Sequence, residues 1–354
     1  MSTSRAPAAE SADDQAVTAE RCAAQLLSGD PAGSAEEVAG RLLAVQAQDP
    51  RGARLAVRAR SAGLSAADVD SALGCRALVV SWLNRGTLHL VRAEDYWWLH
   101  RLTTPQLLAG SSRRLGQEGV PPPDAERGVA AVRAALAADG PLTRAQLRER
   151  VDAVGVRTEG QALVHVLFLA SIRGLIVRGP VVRRDQAFVL ASDWLGAPPA
   201  ALDREAALGE LARRYLAGHA PAADQDLARW AGIGLRDART GLERCGAVQR
   251  PDGLAELPGG PQRAAAALPR PRLLGAFDPL LLGWASRDPI TGEHKQIVTT
   301  NGIFRPFALA GGRAVATWTL SGGRVVLTPF TEIDAGTRAA LEADAADVTR
   351  FLGQ

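Results

Sequence analysis

The chain has 354 residues, 47% of them hydrophobic and 22% charged, with a formal net charge of +3 at pH 7. That length accommodates two or three domain-sized units at ~150 residues each. No apolar run approaches the ~18 uncharged residues that a membrane span requires, which excludes a transmembrane protein.

The opening segment MSTSRAPAAESADDQ has neither a basic n-region nor an apolar h-region, so it is no secretory signal. Residues 1–15 read as a disordered leader. Residues 16–110 form a first unit, with helices expected at 17–28, 35–48 and 65–74. ALVVSWLNRGTLHLVR follows as a hairpin turning at Asn84-Arg85-Gly86. Residues 125–197 form a second and clearer unit. ERGVAAVRAALAADG is an amphipathic helix closed by Gly140, PLTRAQLRERV a helix capped by Thr143, and GQALVHVLFLASIRG a more apolar helix. LIVRGPVVRRDQAFVLA then reads as two strands around a loop at Gly179 and Pro180.

The order recurs at 203–258. There REAALGELARRYLAGHA, PAADQDLARWAG and GLRDARTGLERCG are helices, and AVQRPDGLAEL is a hairpin turning at Asp252-Gly253. Gly140-Pro141 and Ala220-Pro221 stand 80 residues apart, marking an internal repeat. Three helices followed by a hairpin is the winged-helix pattern. Residues 271–354 are strand-rich (QIVTT, FRPFALAG, RAVATWTL, RVVLTPF) and end in a helix at 335–352. The fold class expected is α+β, three tandem winged-helix units plus a β-rich C-terminal region. Pro-rich stretches at 121–123, 198–199 and 257–271 serve as connections.

Cys22, Cys75 and Cys245 are scattered and odd in number, forming neither a disulfide framework nor a CxxC knuckle, which points to a reducing cytoplasm. Lys295 is the one lysine among 41 basic residues, the others being arginine, a composition that GC-rich coding bias explains. The bias has a chemical consequence, because arginine stays protonated and is no amine nucleophile. A Schiff base must use Lys295 or the amino terminus. A pI near 9.1 permits nucleic-acid binding without requiring it.

The chain holds no GxGxxG after a strand, no GxxxxGK[ST], no HExxH and no GxSxG. His89, His100, His165, His219 and His294 stand apart without ligand spacing, so neither a metal nor a cofactor is expected. His165 reads as a core residue, His89 as a hydrogen-bonded wing residue with reach to a groove, and Trp97 and Trp98 as core or interface. The segment RLLAVQAQDPRGARLAVRAR at 41–60 is more informative. On a regular helix Gln46 and Gln48 would point to nearly opposite sides. Pro50 pushes Asp49 out of the α region, so the helix should end near Gln48 and let the two amides converge. Arg51, Arg54, Arg58 and Arg60 follow as a basic run suited to phosphates. Taken alone, paired glutamines at a helix end are usually solvent-facing polar residues.

VQAQDP at 45–50, SWLNRGTLHLVRAEDYWWL at 81–99, LLGAFDPLLLGWASRD at 273–288 and NGIFRPFALAGGRAVATW at 301–318 resemble, in order, the winged-helix DNA glycosylases of the AlkZ type, including the AlkX branch. The resemblance implies three tandem winged helices in a C-shape with a β-rich C-terminal part, and a Gln-hydrophobic-Gln or Gln-hydrophobic-Asp catalytic signature. Gln46-Ala47-Gln48 matches the first variant, that of the branch associated with self-resistance to DNA-alkylating antibiotics. It implies a monofunctional glycosylase acting on double-stranded DNA that carries cationic N7-alkylguanine, including bulky adducts or interstrand crosslinks.

On this reading Gln46 and Gln48 are catalytic. Arg51, Arg54, Arg85 at the first wing tip and Arg313 at the Ala310–Arg313 turn contact DNA, that turn serving as a groove probe. Asp49 and His89 support the site, with a capping role favoured for Asp49. Asp278 and Arg305 do so as a paired charge. No cofactor, membrane or obligate protein partner is implied, and the chain is expected to work as a monomer. The competing readings are a winged-helix sequence-specific transcriptional regulator and a catalytically idle drug-binding or lesion-sequestering protein.

Overall fold

A computed structural model describes residues 12–259, 267–299 and 301–353 of the chain. The first element, α1 (Ala12–Ala24), already includes 12–15, so that part of the expected leader is helical; residues 1–11 lie outside the described residues. Ser34 caps α2 (Ala35–Leu42) by accepting from the Glu37 amide at 3.1 Å. This helix stops well short of residue 48. Leu43 takes a positive φ of 62°, and the chain leaves as the extended β1 (Val45–Gln46). Pairing with a neighbouring strand, Val45 with Leu90 and Gln46 with His89, overrides the helical periodicity read from the sequence.

Asp49 and Pro50 then open a helix as well as end an element. Asp49 is the N-cap and Pro50 the first residue of α3 (Pro50–Arg58), a helix absent from the sequence reading. After α4 (Ala66–Gly74), β2 (Leu78–Leu83) and β3 (Thr87–Arg92) form the hairpin around Asn84-Arg85-Gly86. The following α5 (Ala93–Thr103) and α6 (Pro105–Gln117) were also not expected. Trp97 and Tyr96 in α5 are buried in the core.

Three helices and a hairpin follow: α7 (Pro122–Asp139), α8 (Arg144–Asp152), α9 (Ala162–Ile172), β4 (Ile176–Val182) and β5 (Asp185–Leu190). The hairpin turns at residues 183–184, not at Gly179 and Pro180, which lie inside β4 at a register shift between Arg178 and Val181. A bulge tolerates a proline that cannot donate and a glycine that must lie flat. A Cβ on Gly179 would sit 2.9 Å from the Trp194 indole. A short α10 (Ala191–Leu195) leads to α11 (Arg204–His219), α12 (Asp224–Ala231), α13 (Leu235–Arg244) and the small hairpin β6 (Val248–Gln249) and β7 (Ala255–Glu256).

The C-terminal part contains β8 (Arg272–Leu274), α14 (Asp288–Thr291), β9 (Phe307–Ala310), β10 (Arg313–Ser321), β11 (Arg324–Pro329) and α15 (Ala335–Leu352). QIVTT is not a strand. Residues Lys295–Ile297 make a 3-10 turn and Val298 only an isolated bridge to Phe304, while residue 300 lies outside the described residues.

The architecture is mixed α and β. One antiparallel sheet runs β1-β3-β2-β4-β5, so the hairpins expected in two separate units share a single sheet through the Val80–Arg178 pair. Alternation sends Val80, Leu88 and Leu90 into one core cluster, and Val79, Leu83 and Val91 into a second on the other face. A four-stranded sheet, β11-β10-β9-β8, covers the C-terminal part. No helix among the described residues is long and apolar enough to cross a membrane.

The basic run at 51–60 divides according to what packs on α3. Arg58 is buried and holds α15, pairing with Asp344, donating Nε to Asp347 at 2.8 Å and Nη1 to the Leu273 carbonyl at 3.0 Å. Arg60 is fully buried against Asp278, also fully buried, in a two-pronged pair at 2.8 and 3.0 Å. Arg60 also donates Nη2 to Gln25 at 2.8 Å and Asp278 accepts from the Leu280 amide at 2.9 Å, while the Arg60 Nε is buried without a partner. Neither Arg58 nor Arg60 is available to phosphate. Gly52 completes the junction: a Cβ there would lie 2.3 Å from the Ala276 carbonyl oxygen.

Replacing Asp278 by Ala leaves a buried guanidinium without its counter-ion and should cost about 3–5 kcal/mol of stability. Arg60→Met/Asp278→Leu, which removes both charges, should cost less than either single truncation. Urea unfolding midpoints of the variants measure this, and a double variant weaker than Asp278→Ala would contradict it.

Candidate active site

β1 ends at Gln46 and Gln48 lies in the bend before α3, where the two amides meet, in contrast to their places on the expected helix. Gln46 is buried and Gln48 exposed, and the Gln46 Nε2 donates to Gln48 Oε1 at 2.5 Å. The convergence expected of a broken helix is therefore reached at the end of a strand and the bend that follows it. Ala47 between them is buried in the core, and its amide donates to the Leu88 carbonyl at 2.7 Å.

Arg85 orders the pair. Its Nη2 donates to Gln46 Oε1 at 3.3 Å, while Nη1 donates to the carbonyls of Arg229 at 3.1 Å and Trp230 at 2.6 Å. A guanidinium has only donors, so the Gln46 oxygen must face it and the Gln46 amide nitrogen must face Gln48. The Gln48 oxygen is then occupied, leaving the NH2 of the exposed Gln48 as the donor presented outward. Burial, with the charges of Arg229 and Arg287 adding to it, pushes the Arg85 guanidinium down to about 10, and it remains a cation at neutral pH. Arg85, expected as a DNA contact at the wing tip, is turned to Gln46 and to the carbonyls of Arg229 and Trp230.

His89 sits opposite Gln46 in the sheet register and is buried, its Nδ1 donating to the Thr87 carbonyl at 2.9 Å. Burial, reinforced by Arg85, pushes its pKa down to about 3, so it is neutral and no general acid at physiological pH. Asp49 caps α3, accepting from the Arg51 amide at 3.2 Å. Arg51 is exposed beside it.

The remaining expected residues scatter. Arg54 is held by Asp70 and by the Pro50 carbonyl. Asp278 pairs with Arg60 and not with Arg305, which is exposed on the segment leading to β9. The turn before β10 is no projecting probe: a Cβ on Gly312 would meet Leu268 at 2.8 Å and Thr18 of α1 at 2.9 Å, and Arg313 is half-buried. His165 is half-buried and lines a cavity of about 440 Å³ with Trp82, Arg85 and Phe168, so it is not a core residue.

Arg229 and Arg287, which sequence reasoning missed, add their charge near Arg85. The Arg287 guanidinium lies 5.0 Å over the Phe304 ring. Nothing local marks either residue, since each comes from a different part of the chain. Among the described residues no group of three or more His, Cys, Asp or Glu is arranged to hold a metal.

The family model described as DNA glycosylase AlkZ-like matches residues 39–351. A Streptomyces sahachiroi protein described as an interstrand DNA cross-link repair glycosylase is 29% identical, over 90% of this chain and 91% of that protein. The solved structure of Streptomyces sahachiroi DNA glycosylase AlkZ matches with a TM-score of 0.75 at 26% identity, covering 98% of both chains.

His89 and His219 both have pKa values pushed down to about 3 by burial, whereas in the unfolded chain each binds a proton near 6.5. Between those limits the unfolded state holds more protons. The stability present above the unfolded value is therefore lost as pH falls, at about 1.4 kcal/mol per pH unit for each histidine. Urea unfolding at about pH 7 and about pH 5 should show the decline, and equal stability at both would rule out neutral burial of these rings.

Proposed function

Because this chain belongs to the AlkZ-like family of DNA glycosylases, we propose that it hydrolyses the N-glycosidic bond of N7-alkylguanine in double-stranded DNA, with Gln46 and Gln48 as the catalytic pair. The observation that carries the reading is the Arg85–Gln46–Gln48 chain of hydrogen bonds, which fixes two uncharged amides at the start of α3. Glutamine transfers no proton. An N7-alkylated guanine already carries a positive charge, so its departure needs no general acid. The C1′–N9 bond breaks with its electron pair going to the base, which becomes neutral. Water forms the new C1′–O bond and gives up a proton to solvent, leaving an abasic site. The outward NH2 of Gln48 orients the water oxygen, and the second lone pair of the Gln48 oxygen is what remains for the developing sugar cation. Such a site is adequate for a labile cationic lesion and poor for an intact nucleoside.

Several finer points belong to the same proposal. The three runs of three helices and a hairpin act as winged-helix units, spanning about 16–110, 125–197 and 203–258, around the duplex, with 271–354 as the β-rich region. The likeness to an interstrand cross-link repair glycosylase extends the substrates to bulky adducts or crosslinks made by alkylating antibiotics, in DNA repair or self-resistance. The enzyme works as a cytoplasmic monomer, without lyase chemistry, since the one lysine, Lys295, is an exposed residue of a 3-10 turn. Arg51 and Arg54 flank the site on the DNA side.

The test is a duplex with one N7-alkylguanine, incubated with wild type or Gln46→Ala/Gln48→Ala and then treated with mild alkali. Strand breaks should form with wild type, and excision should fall by ~10²-fold or more in the variant. Equal rates would remove the glutamines from the mechanism. No breaks with either protein, together with tight binding of one undamaged sequence, would indicate a regulator. Borohydride should trap no enzyme–DNA adduct, and a trapped adduct would contradict simple hydrolysis.

A further inference from the structure

A second basic feature lies just past the glutamine pair and is not used in the chemistry above. A cavity of about 300 Å³ opens between the start of α3 and the start of α8, lined by Pro50, Arg54, Arg144, Arg178, Arg184 and Phe188, among others. Pro50 stands two residues beyond Gln48, so the cavity adjoins the proposed active strand.

Charge in this cavity is unbalanced. Arg54 is paired with Asp70. Among the described residues Arg144, Arg178 and Arg184 have no carboxylate partner, and Asp185 is the carboxylate in the lining. Arg178 is the most revealing member. Its guanidinium lies 4.9 Å from the Trp82 ring and 4.9 Å from the Phe188 ring, and its Nε is buried without a hydrogen-bond partner. The two rings hold the guanidinium in place but supply no acceptor. A cation taken out of water in this way costs stability unless an anion completes it. Burial, with the neighbouring charge of Arg144 adding to it, pushes its pKa down to about 10. The positive ends of two helix dipoles, at the first residues of α3 and α8, add to the field.

We propose that the cavity walled by Arg144, Arg178 and Arg184 is a phosphate site that grips a backbone phosphodiester of the DNA strand beside the target nucleotide. It rests on the reading of the protein as a DNA glycosylase and adds the contact that fixes the strand next to Gln48. Arg178, held between two rings, sets the position of the phosphate; Arg144 and Arg184, both exposed, close on it from the rim.

Arg178 is too well packed to be a safe test, so the variant is Arg144→Ala/Arg184→Ala. The control, Arg204→Ala/Arg213→Ala, removes the same charge from exposed residues outside the cavity, paired to Asp237 and Glu210. Binding of an undamaged duplex is followed by fluorescence anisotropy between about 50 and 200 mM salt. The cavity variant should bind roughly tenfold more weakly than wild type, with the slope of log K against log salt reduced by about 1–2, and the control should match wild type. An unchanged slope in the cavity variant, or an equal loss in the control, overturns the site. So does a melting-temperature rise with inorganic phosphate that the cavity variant loses while its DNA binding stays intact, because the cavity would then serve a small phosphate ligand. The duplex carries no lesion, so the outcome is independent of glycosidic cleavage. Failure of wild type to excise, with these binding results intact, overturns the hydrolytic reading alone.

Discussion

The Arg60–Asp278 pair is the constraint around which the active strand is organised. Both side chains are fully excluded from solvent, and further hydrogen bonds support the pair, from the Arg60 Nη atoms to Gln25 and the Ala56 carbonyl and from the Leu280 amide to Asp278, with the Arg60 Nε left unpartnered. Such a pair tolerates little displacement, because loss of either partner strands a charge in the interior. It ties the end of α3 to α1 and to the segment after β8. Arg58, two residues earlier, ties the same helix to α15. The backbone contact that Gly52 permits against Ala276 closes the other end of α3. With α3 immobilised along its length, the two-residue strand before it has one place to go, at the edge of β3. The glutamines are thereby held by the tertiary structure and not by any element of their own.

The glutamine pair lies beside Arg85, whose guanidinium is opposed by the like charges of Arg229 and Arg287. His89, directly across the strand pairing, stays neutral. The hydrogen-bond chain has a direction, because it begins on a group that only donates. Each amide in turn has its oxygen satisfied, and the last NH2 remains for a ligand or water. A local network of this kind holds its geometry without moving a proton.

The distribution of arginine in space differs sharply from its distribution in sequence. The dense run at 51–60 supplies two buried structural ions, one arginine paired at the surface and one exposed residue. Among the described residues, arginines without a carboxylate partner lie elsewhere, on α8 and the β4–β5 hairpin where they face one cavity, and Arg229 and Arg287 bring further positive charge near Arg85. Proximity along a chain measures composition. Availability to a phosphate depends on which carboxylates the fold brings to each guanidinium.

Long elements with their own signals were legible in the sequence: the three helices and hairpin between Pro122 and Leu190, the turn at Asn84-Arg85-Gly86, and the C-terminal strands and helix. Caps, glycines and periodicity act over a few residues and hold wherever no tertiary pairing overrides them, as it does at Val45–Gln46. The glutamine pair was legible too, but as a motif whose geometry was misread. A two-residue strand has no periodicity to detect, and Val45 and Gln46 became extended only because Leu90 and His89 lie alongside. The partners of Asp278 and Arg85 were beyond reach for the same reason, since Arg60 and Gln46 are brought to them across long stretches of chain. The sequence determined which local elements form and that two amides stand two residues apart. Only the tertiary structure decided that they meet, which cation orders them and which arginines remain unpaired, because strand pairing and charge compensation are contacts between distant residues.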